Sequence, residues 1–211
     1  MRSRGFEVFT SFVAGVFLVL LGLFKMGFGI YTQTSFKNGL VGITAGIYTI
    51  AIGIARFIYI KKIDTDEKDQ IITYRNIALL LIPIAIVFLI SNILSLDDEL
   101  KDYGIWIDLL ITTGVVVLFC FSFKRAFRSE TFNIMSRAIM ITSFISALIN
   151  IVFIEHLFEY QLNDLFGVEL FREFKLYFSM GISGIIVLIS LVMVIISVIK
   201  VHIYKKERGI I

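Results

Sequence analysis

The sequence predicts an all-α membrane protein, a single domain over residues 1–211 that crosses the bilayer six times as a bundle of three antiparallel hairpins. Three observations predict this fold class. First, 58% of the 211 residues are hydrophobic and only 18% are charged, a composition typical of chains that need lipid. Second, the apolar residues gather into six stretches of roughly 20 residues, the length at which a helix spans a ~30 Å hydrocarbon core. Third, basic residues concentrate on every second one of the segments that flank these stretches.

The predicted spans run from Val8 to Ile30, Leu40 to Ile60, Asn76 to Leu96, Gly104 to Phe123, Ala138 to Phe158 and Leu176 to Val201. The first span is longer than the ~7–15 apolar residues of a cleaved signal peptide, and no Ala-x-Ala site follows it, so we expect it to be retained. The single proline, Pro83, lies in the third span. The single cysteine, Cys120, lies near the cytoplasmic end of the fourth and permits no internal disulfide.

Orientation follows from lysine and arginine, which concentrate on the cytoplasmic side of membrane proteins. Fifteen of the 20 basic residues fall on one set of flanks: Arg2, Arg4, Arg56, Lys61, Lys62, Lys68, Arg75, Lys124, Arg125, Arg128, Arg137, Lys200, Lys205, Lys206 and Arg208. The opposite set holds Lys25, Lys37, Lys101, Arg172 and Lys175. This bias predicts a plasma (inner) membrane protein with both termini in the cytoplasm. It also accounts for the net charge of +3, so no nucleic-acid partner is predicted.

The residues between the spans form no separate soluble domain. Residues 157–175 carry apolar residues at near-helical spacing, which predicts a short amphipathic segment that lies along the outer interface or caps the bundle. The inner loop that contains Lys124, Arg125 and Arg128 is either a solvated positive-inside loop or a surface that faces anionic headgroups or a partner protein.

Glycines mark the tightest predicted packing. Within each of the first two spans they recur at intervals of seven: Gly15, Gly22 and Gly29, then Gly39, Gly46 and Gly53. This spacing keeps small residues on one face of helices that cross at about +20°. An antiparallel hairpin would pair Gly15 with Gly53, Gly22 with Gly46 and Gly29 with Gly39. The same stripe could instead serve self-association around a shared axis.

Weaker stripes of small or polar residues predict the other two hairpins. Ala78, Ala85 and Asn92 would face Thr113 and Cys120, and Ser136, Ser143 and Asn150 would face Ser197, Ser190 and Ser183.

Polar residues that lipid penalises are candidate functional groups. They concentrate in the outer halves of the spans: Lys25, Asn92, Asp108, Asn150, Glu155 and His156. Lys25 either lifts its ammonium into the headgroups or faces inward, paired with Asp108. Asn92 and Asn150 have no long stem, so they serve either as interhelical hydrogen-bonding groups or as part of an outward-facing pocket.

Catalytic patterns are weak. Gly181-Ile-Ser-Gly184 resembles the Gly-x-Ser-Gly element of rhomboid proteases, which implies a serine nucleophile near a histidine at the same depth. His202 lies at the cytoplasmic end of the same helix, and His156 is roughly 9 Å too far outward from the level of Ser183. Helix packing explains Gly181 and Gly184 better, so an enzyme is not favoured. Two histidines at different faces also predict no metal site.

Six spans in a short chain, with both ends inside and a polar layer toward the outside, are similar to the substrate-binding subunits of energy-coupling-factor vitamin transporters. That resemblance implies solute binding. Those subunits carry an Ala-x-x-x-Ala docking motif on the first helix, whereas the nearest match here, Ala51 to Ala55, lies on the second. The lone Pro83 also lacks the paired interruptions of transporters with broken helices.

The leading functional hypothesis is therefore a nonenzymatic membrane subunit that self-associates or docks a cytoplasmic protein, as a sensor, scaffold or small channel. It rests on the absence of catalytic and transporter patterns, with the basic inner loops facing the partner. The alternative is a subunit that binds or transports a small solute. No cofactor is predicted.

Overall fold

A computed structural model of the chain describes residues 2–31, 37–95, 134–157 and 159–207. Its helices are α1 (Arg2–Tyr31), α2 (Lys37–Lys61), α3 (Glu67–Leu94), α4 (Ile134–Leu157), α5 (Glu159–Phe166) and α6 (Val168–Glu207). All of these except α5 are long and apolar enough to cross a membrane. The prediction of an all-helical, multi-pass membrane protein is confirmed for the described part of the chain. The predicted fourth span, residues 104–123, lies outside it.

α1 and α2 pack backbone against backbone along the glycine stripe. A Cβ built on Gly22 would lie 2.5 Å from the nitrogen of Ile43 and 2.6 Å from the oxygen of Gly39. A Cβ on Gly46 would lie 2.6 Å from the oxygen of Gly15. Such distances are shorter than any real Cβ contact, so only glycine fits at these positions. Burial of apolar surface gives little driving force between two helices in lipid. The dispersion energy of this close approach therefore holds the pair together.

The register of this contact differs from the predicted one. Gly15 lies against Gly46 and Ile50, whereas Gly53 lies beside Ser11, 3.3 Å from its Cβ. The two stripes are therefore offset by about one turn from the Gly15–Gly53 alignment. Equal spacing allows several registers, and the bulk of the residues between the glycines selects one of them. The surroundings of Gly29 lie outside the described part of the chain.

α2 lies at the centre of the bundle. One face meets α1, and a second face packs on α3 and α4. Tyr48 on that second face lies edge-on to Phe88 of α3, with 6.3 Å between ring centroids. Its hydroxyl hydrogen bonds to the hydroxyl of Ser190 on α6 at 3.2 Å. The hydroxyls of Thr44 and Ser91 are 2.7 Å apart. Since Tyr48 follows Thr44 on α2 whereas Phe88 precedes Ser91 on α3, the two contacts together show that the helices run antiparallel.

The connection between α2 and α3 is held by side chains. The Gln70 amide donates to the main-chain oxygens of Ile63 and Thr65, both at 2.9 Å. Lys62 donates to the carboxylate of Asp69 at 2.7 Å. Because the two Gln70 bonds satisfy main-chain oxygens beyond the end of α2, the chain can reverse within a few residues.

Within residues 157–175, the amphipathic segment is divided in two. α5 ends at Phe166, and Gly167 has a φ of 81°, a left-handed conformation that glycine adopts without steric cost. α6 then begins at Val168 and continues for 40 residues, about 60 Å at 1.5 Å per residue. The second half of the segment is therefore the first part of the last long helix, where Phe174 and Phe178 stack with 5.0 Å between centroids.

Candidate functional site

Three of the predicted polar residues lie inside the described bundle. Lys25 is 8% exposed, and Asn92 and Asn150 are buried. Burial of Lys25 favours the inward-facing alternative over a side chain extended into the headgroups. Asp108 lies outside the described residues, and Glu155 and His156 lie outside those whose side chains the structure describes. They stay predictions.

A chain of hydrogen bonds joins α3 to α6 at the end of α3. The Lys175 ammonium on α6 donates to the main-chain oxygen of Ser95 at 2.9 Å. The Ser95 hydroxyl donates to the main-chain oxygen of Asn92 at 2.8 Å. Lys175 is only 2% exposed, so its charge lies inside the protein and one helical turn from the Asn92 amide. We call six buried or half-buried polar residues of α2, α3 and α6 the polar layer. They are Thr44, Ser91, Asn92, Ser95, Lys175 and Ser183.

Two fully buried side chains of the polar layer each have a polar atom without a hydrogen-bond partner among the described residues. The Asn92 amide nitrogen donates to the main-chain oxygen of Phe88 at 2.8 Å. Its oxygen, Oδ1, has no hydrogen-bond partner in the described part of the chain, and neither does Oγ of Ser183. Both residues are 0% exposed. Buried polar atoms are nearly always hydrogen bonded in proteins, so these two need a donor or acceptor that the described helices do not supply.

Contacts between helices place Lys25 level with Lys175. A Cβ on Gly39 would lie 2.7 Å from the nitrogen of Met26, so Lys25 of α1 is at the start of α2. On α2, Gly39 lies five residues before Thr44. On α3, Ser91, whose hydroxyl contacts that of Thr44, lies four residues before Ser95. Since α2 and α3 are antiparallel, the start of α2 and the end of α3 lie at one level. Among the described residues, two buried lysines therefore lie at this end of the bundle, on α1 and α6.

Sequence reasoning missed Lys175 and Arg56 as interior residues and assigned both to membrane flanks. Arg56 is 1% exposed, and its Nη1 donates to the hydroxyl of Ser11 at 2.8 Å. A signal was present in the spacing. On α6, a spacing of four residues joins Lys175, Ser179 and Ser183, which lie on one stripe of the helix. On α2, Arg56 lies four residues after Ile52. A charge at such a position faces the neighbouring helices.

The serine stripe of α6 is buried, and one of its hydroxyls bonds to α2. Ser190 Oγ lies 3.2 Å from the hydroxyl of Tyr48 on α2, a contact that the sequence did not predict. Ser143, predicted to face Ser190, is also buried and donates to the Ile139 oxygen of its own helix at 2.8 Å. The pairing of these two serines stays a prediction.

Gly181 and Gly184 do not act as packing glycines among the described residues. A Cβ built on either one meets no atom within 4 Å. The serine between them, Ser183, is 19 residues from His202 on the same helix, about 28 Å apart. These two residues therefore cannot form a nucleophile and base pair.

One further predicted site lies outside the part of the chain that the structure describes. Lys124, Arg125 and Arg128, the predicted surface for a partner or lipid, lie outside the described residues. No three His, Cys, Asp or Glu side chains within the described ranges are grouped to hold a metal ion. Comparison of the chain with models of known protein families, with curated proteins and with solved structures finds no match.

Proposed function

We propose that this chain is a nonenzymatic membrane subunit that binds a small polar solute in the polar layer. The observation that carries the proposal is the pair of fully buried atoms, Oδ1 of Asn92 and Oγ of Ser183, that have no partner in the described helices. Leaving a buried polar atom unsatisfied costs about 1–3 kcal/mol. A bound solute that supplies hydrogen bonds to both would offset that cost.

Solute binding is preferred over self-association through the glycine stripe. Gly15, Gly22, Gly39 and Gly46 already meet backbone atoms of the neighbouring helix within the same chain. A second copy of the chain therefore has no access to that surface. Docking of a cytoplasmic protein on the basic inner loop is a separate proposal that rests on charge alone.

Native mass spectrometry of the tagged protein in nanodiscs tests the proposal. We expect a small-molecule adduct on the wild-type chain, its loss in Asn92→Leu, and its retention in the control Asn76→Leu, because Asn76 lies exposed on the same helix. A bare chain in every sample would contradict solute binding. A stoichiometric soluble protein in place of the adduct would favour partner docking.

We further propose six spans with both termini in the cytoplasm of a cell with a plasma (inner) membrane, supported by the alternation of basic residues. In a Cys120→Ser background, Asp164→Cys should react with a membrane-impermeant thiol reagent added outside. Asp64→Cys should react only after permeabilisation. Both positions are exposed. The six-span topology places three spans between these two positions, which puts them on opposite sides of the membrane. Reaction of both cysteines from the same side would contradict it.

A further inference from the structure

The exposed face of α6 carries one continuous apolar stripe. Its residues recur every three or four positions, which keeps them within a sector of about 80° around the helix axis. The stripe runs through Leu170, Phe174, Tyr177, Ile185 and Leu188 to Ile199, all of them exposed. Because α6 is long and apolar enough to cross a membrane, the exposed apolar residues of its span face lipid. We call this surface the lipid stripe.

Charged residues at the start of α6 lie on a different side of the helix. Glu169, Arg172 and Glu173 are exposed, and at 3.6 residues per turn they are centred roughly 120° around the axis from the lipid stripe. The first turns of α6 therefore have an apolar exposed face and a separate charged one. Such a division is typical of a helix that meets lipid on one side and water or headgroups on the other.

The lipid stripe is longer than the hydrocarbon core of a bilayer. Leu170 and Ile199 are 29 positions apart, about 44 Å at 1.5 Å per residue, whereas the core is about 30 Å thick. Even at a tilt of about 40°, the upper end of the usual range, the stripe would cover about 34 Å. The candidate span of α1, Val8–Gly27, has 20 residues, about 30 Å by the same measure. The apolar length that faces lipid is thus greater on α6 than on α1.

The excess length lies at the end of the bundle where α3 ends. The Lys175 ammonium donates to the main-chain oxygen of Ser95, the residue that follows α3, at 2.9 Å. Residues 168–174, which we call the extension, continue α6 about 10 Å past Lys175. At the other end Lys200 directly follows Ile199 and terminates the stripe with a charge. The extension is therefore the part of the stripe that a bilayer matched to α1 would not cover.

Aromatic side chains fix the extension to the bundle and give it an interfacial character. Phe171 is buried and stacks on Phe174 with 6.4 Å between ring centroids. Phe174 in turn stacks on Phe178 at 5.0 Å. Tyr177, directly below the extension, is 76% exposed. Tyrosine is enriched where lipid meets water, because its ring is apolar and its hydroxyl is polar.

We propose that the extension binds phospholipid of the adjacent leaflet through Leu170, Phe174 and Tyr177, and that this contact makes the stability of the chain depend on bilayer thickness. The lipid there is continuous with the lipid that faces Ile185 and Leu188. The charged face of the extension meets headgroups and water. In a thin bilayer the hydrocarbon does not reach Leu170, so this side chain is exposed to water or the bilayer deforms around α6, and either response costs free energy.

Spin labels on single cysteines test the lipid contact. The full chain, with Cys120→Ser, is placed in nanodiscs of dioleoylphosphatidylcholine, and collisions of each label are measured with oxygen, which concentrates in lipid, and with a water-soluble nickel chelate. Leu170→Cys and Glu169→Cys form a matched pair, about 1.5 Å apart along the axis but about 100° apart around it. We expect the ratio of oxygen to nickel collisions to be several-fold higher at position 170. Leu188→Cys, in the middle of the stripe, reports that the labelled chain is inserted.

Two results would overturn the lipid contact. Equal nickel collisions at positions 169 and 170 would show that the extension lies in water. A label at position 170 that collides with neither reagent would show that a protein, such as a second copy of the chain, covers the stripe there. Both readings are independent of which side of the membrane the extension occupies, because both faces of a nanodisc are accessible.

A series of bilayers tests the dependence on thickness. In dimyristoleoyl, dioleoyl and dierucoyl phosphatidylcholine, in order of increasing thickness, the Tm should rise from the first to the second. The label at position 170 should show several-fold more nickel collisions in the thinnest bilayer, and the label at position 188 should show no change. Leu170→Ser should reduce the gain in Tm, whereas the control Glu169→Ser should keep it. A Tm and a position-170 label that do not respond to the lipid would overturn this dependence, whatever the polar layer binds.

Discussion

Two chemically identical substitutions on α6 should change stability in opposite directions. Ser190 and Ser183 are seven residues apart, two helical turns and about 10 Å along the axis, and both are fully buried. Ser190 hydrogen bonds to the Tyr48 hydroxyl, whereas Oγ of Ser183 has no partner in the described helices. Ser190→Ala and Ser183→Ala each remove one hydroxyl and no carbon.

The magnitudes follow from what each hydroxyl touches. Ser190→Ala leaves the buried Tyr48 hydroxyl without its partner, and interhelical hydrogen bonds in membrane proteins contribute about 0.6 kcal/mol, up to about 1.7. We expect a loss of unfolding free energy in that range. Ser183→Ala removes a polar atom that is buried without compensation, and such burial costs about 0.5–2 kcal/mol. Solute-free protein should therefore gain stability by a fraction of that amount.

The assay is unfolding in mixed micelles with increasing SDS, followed by circular dichroism on extensively washed protein. Tyr48→Phe and the double variant with Ser190→Ala complete a mutant cycle for the hydrogen bond. A loss of about 1 kcal/mol or more in Ser183→Ala would refute the assignment of Oγ as unpartnered. A neutral Ser190→Ala would show that the bond to Tyr48 contributes nothing to stability.

Three further predictions concern other parts of the bundle. Gly46→Ala should destabilise the chain by about 1–3 kcal/mol or more, because its Cβ would meet the Gly15 backbone, whereas Gly181→Ala should be neutral or stabilising since no described atom is near; the same SDS titration compares them. Ser11→Ala should cost about 1.5–3 kcal/mol, because it removes the acceptor of a hydrogen bond from the Arg56 guanidinium, and an unchanged midpoint would contradict that role. Gln70→Leu should speed tryptic cleavage of the turn between α2 and α3, since two hydrogen bonds that hold the turn are lost; equal cleavage rates would contradict it.

Hydropathy and spacing predicted the helices of the described part well. Each candidate span of the structure coincides with a predicted apolar stretch, because lipid leaves an apolar segment of that length no alternative to a helix. Two helices begin well before the predicted starts: α3 begins nine residues before Asn76 and α6 begins eight residues before Leu176. Charged residues before both positions hide the first turns of these helices from a hydropathy argument.

Register and interior charges were beyond the sequence argument. Glycines repeated every seven residues match at several offsets, so the offset between Gly15 and its partners depends on the side chains of Val19 and Ile50 that fill the spaces. Lys175 and Arg56 were assigned to membrane flanks because charge counting treats every lysine and arginine as solvated. Their place on the buried stripe of a helix, rather than their charge, decides their surroundings.

Asn92 was predicted as an interior polar residue, and the structure buries it. What sequence could not predict is which of its atoms lacks a partner. That depends on the oxygen of Phe88 four residues earlier, which takes the amide nitrogen, and on the absence of a described donor near Oδ1.

The hydroxyl contact between Tyr48 and Ser190 joins residues 142 positions apart, and this separation orders the events of biosynthesis. The α1–α2 contact forms between neighbours in the chain, so it can close as soon as both segments have left the ribosome. The Tyr48 hydroxyl obtains its partner Ser190 only after the last helix has been made and inserted. A ribosome stalled before α6 would release a chain whose first hairpin is finished but whose central helix still presents an unsatisfied hydroxyl to lipid, a feature by which incomplete copies differ from complete ones.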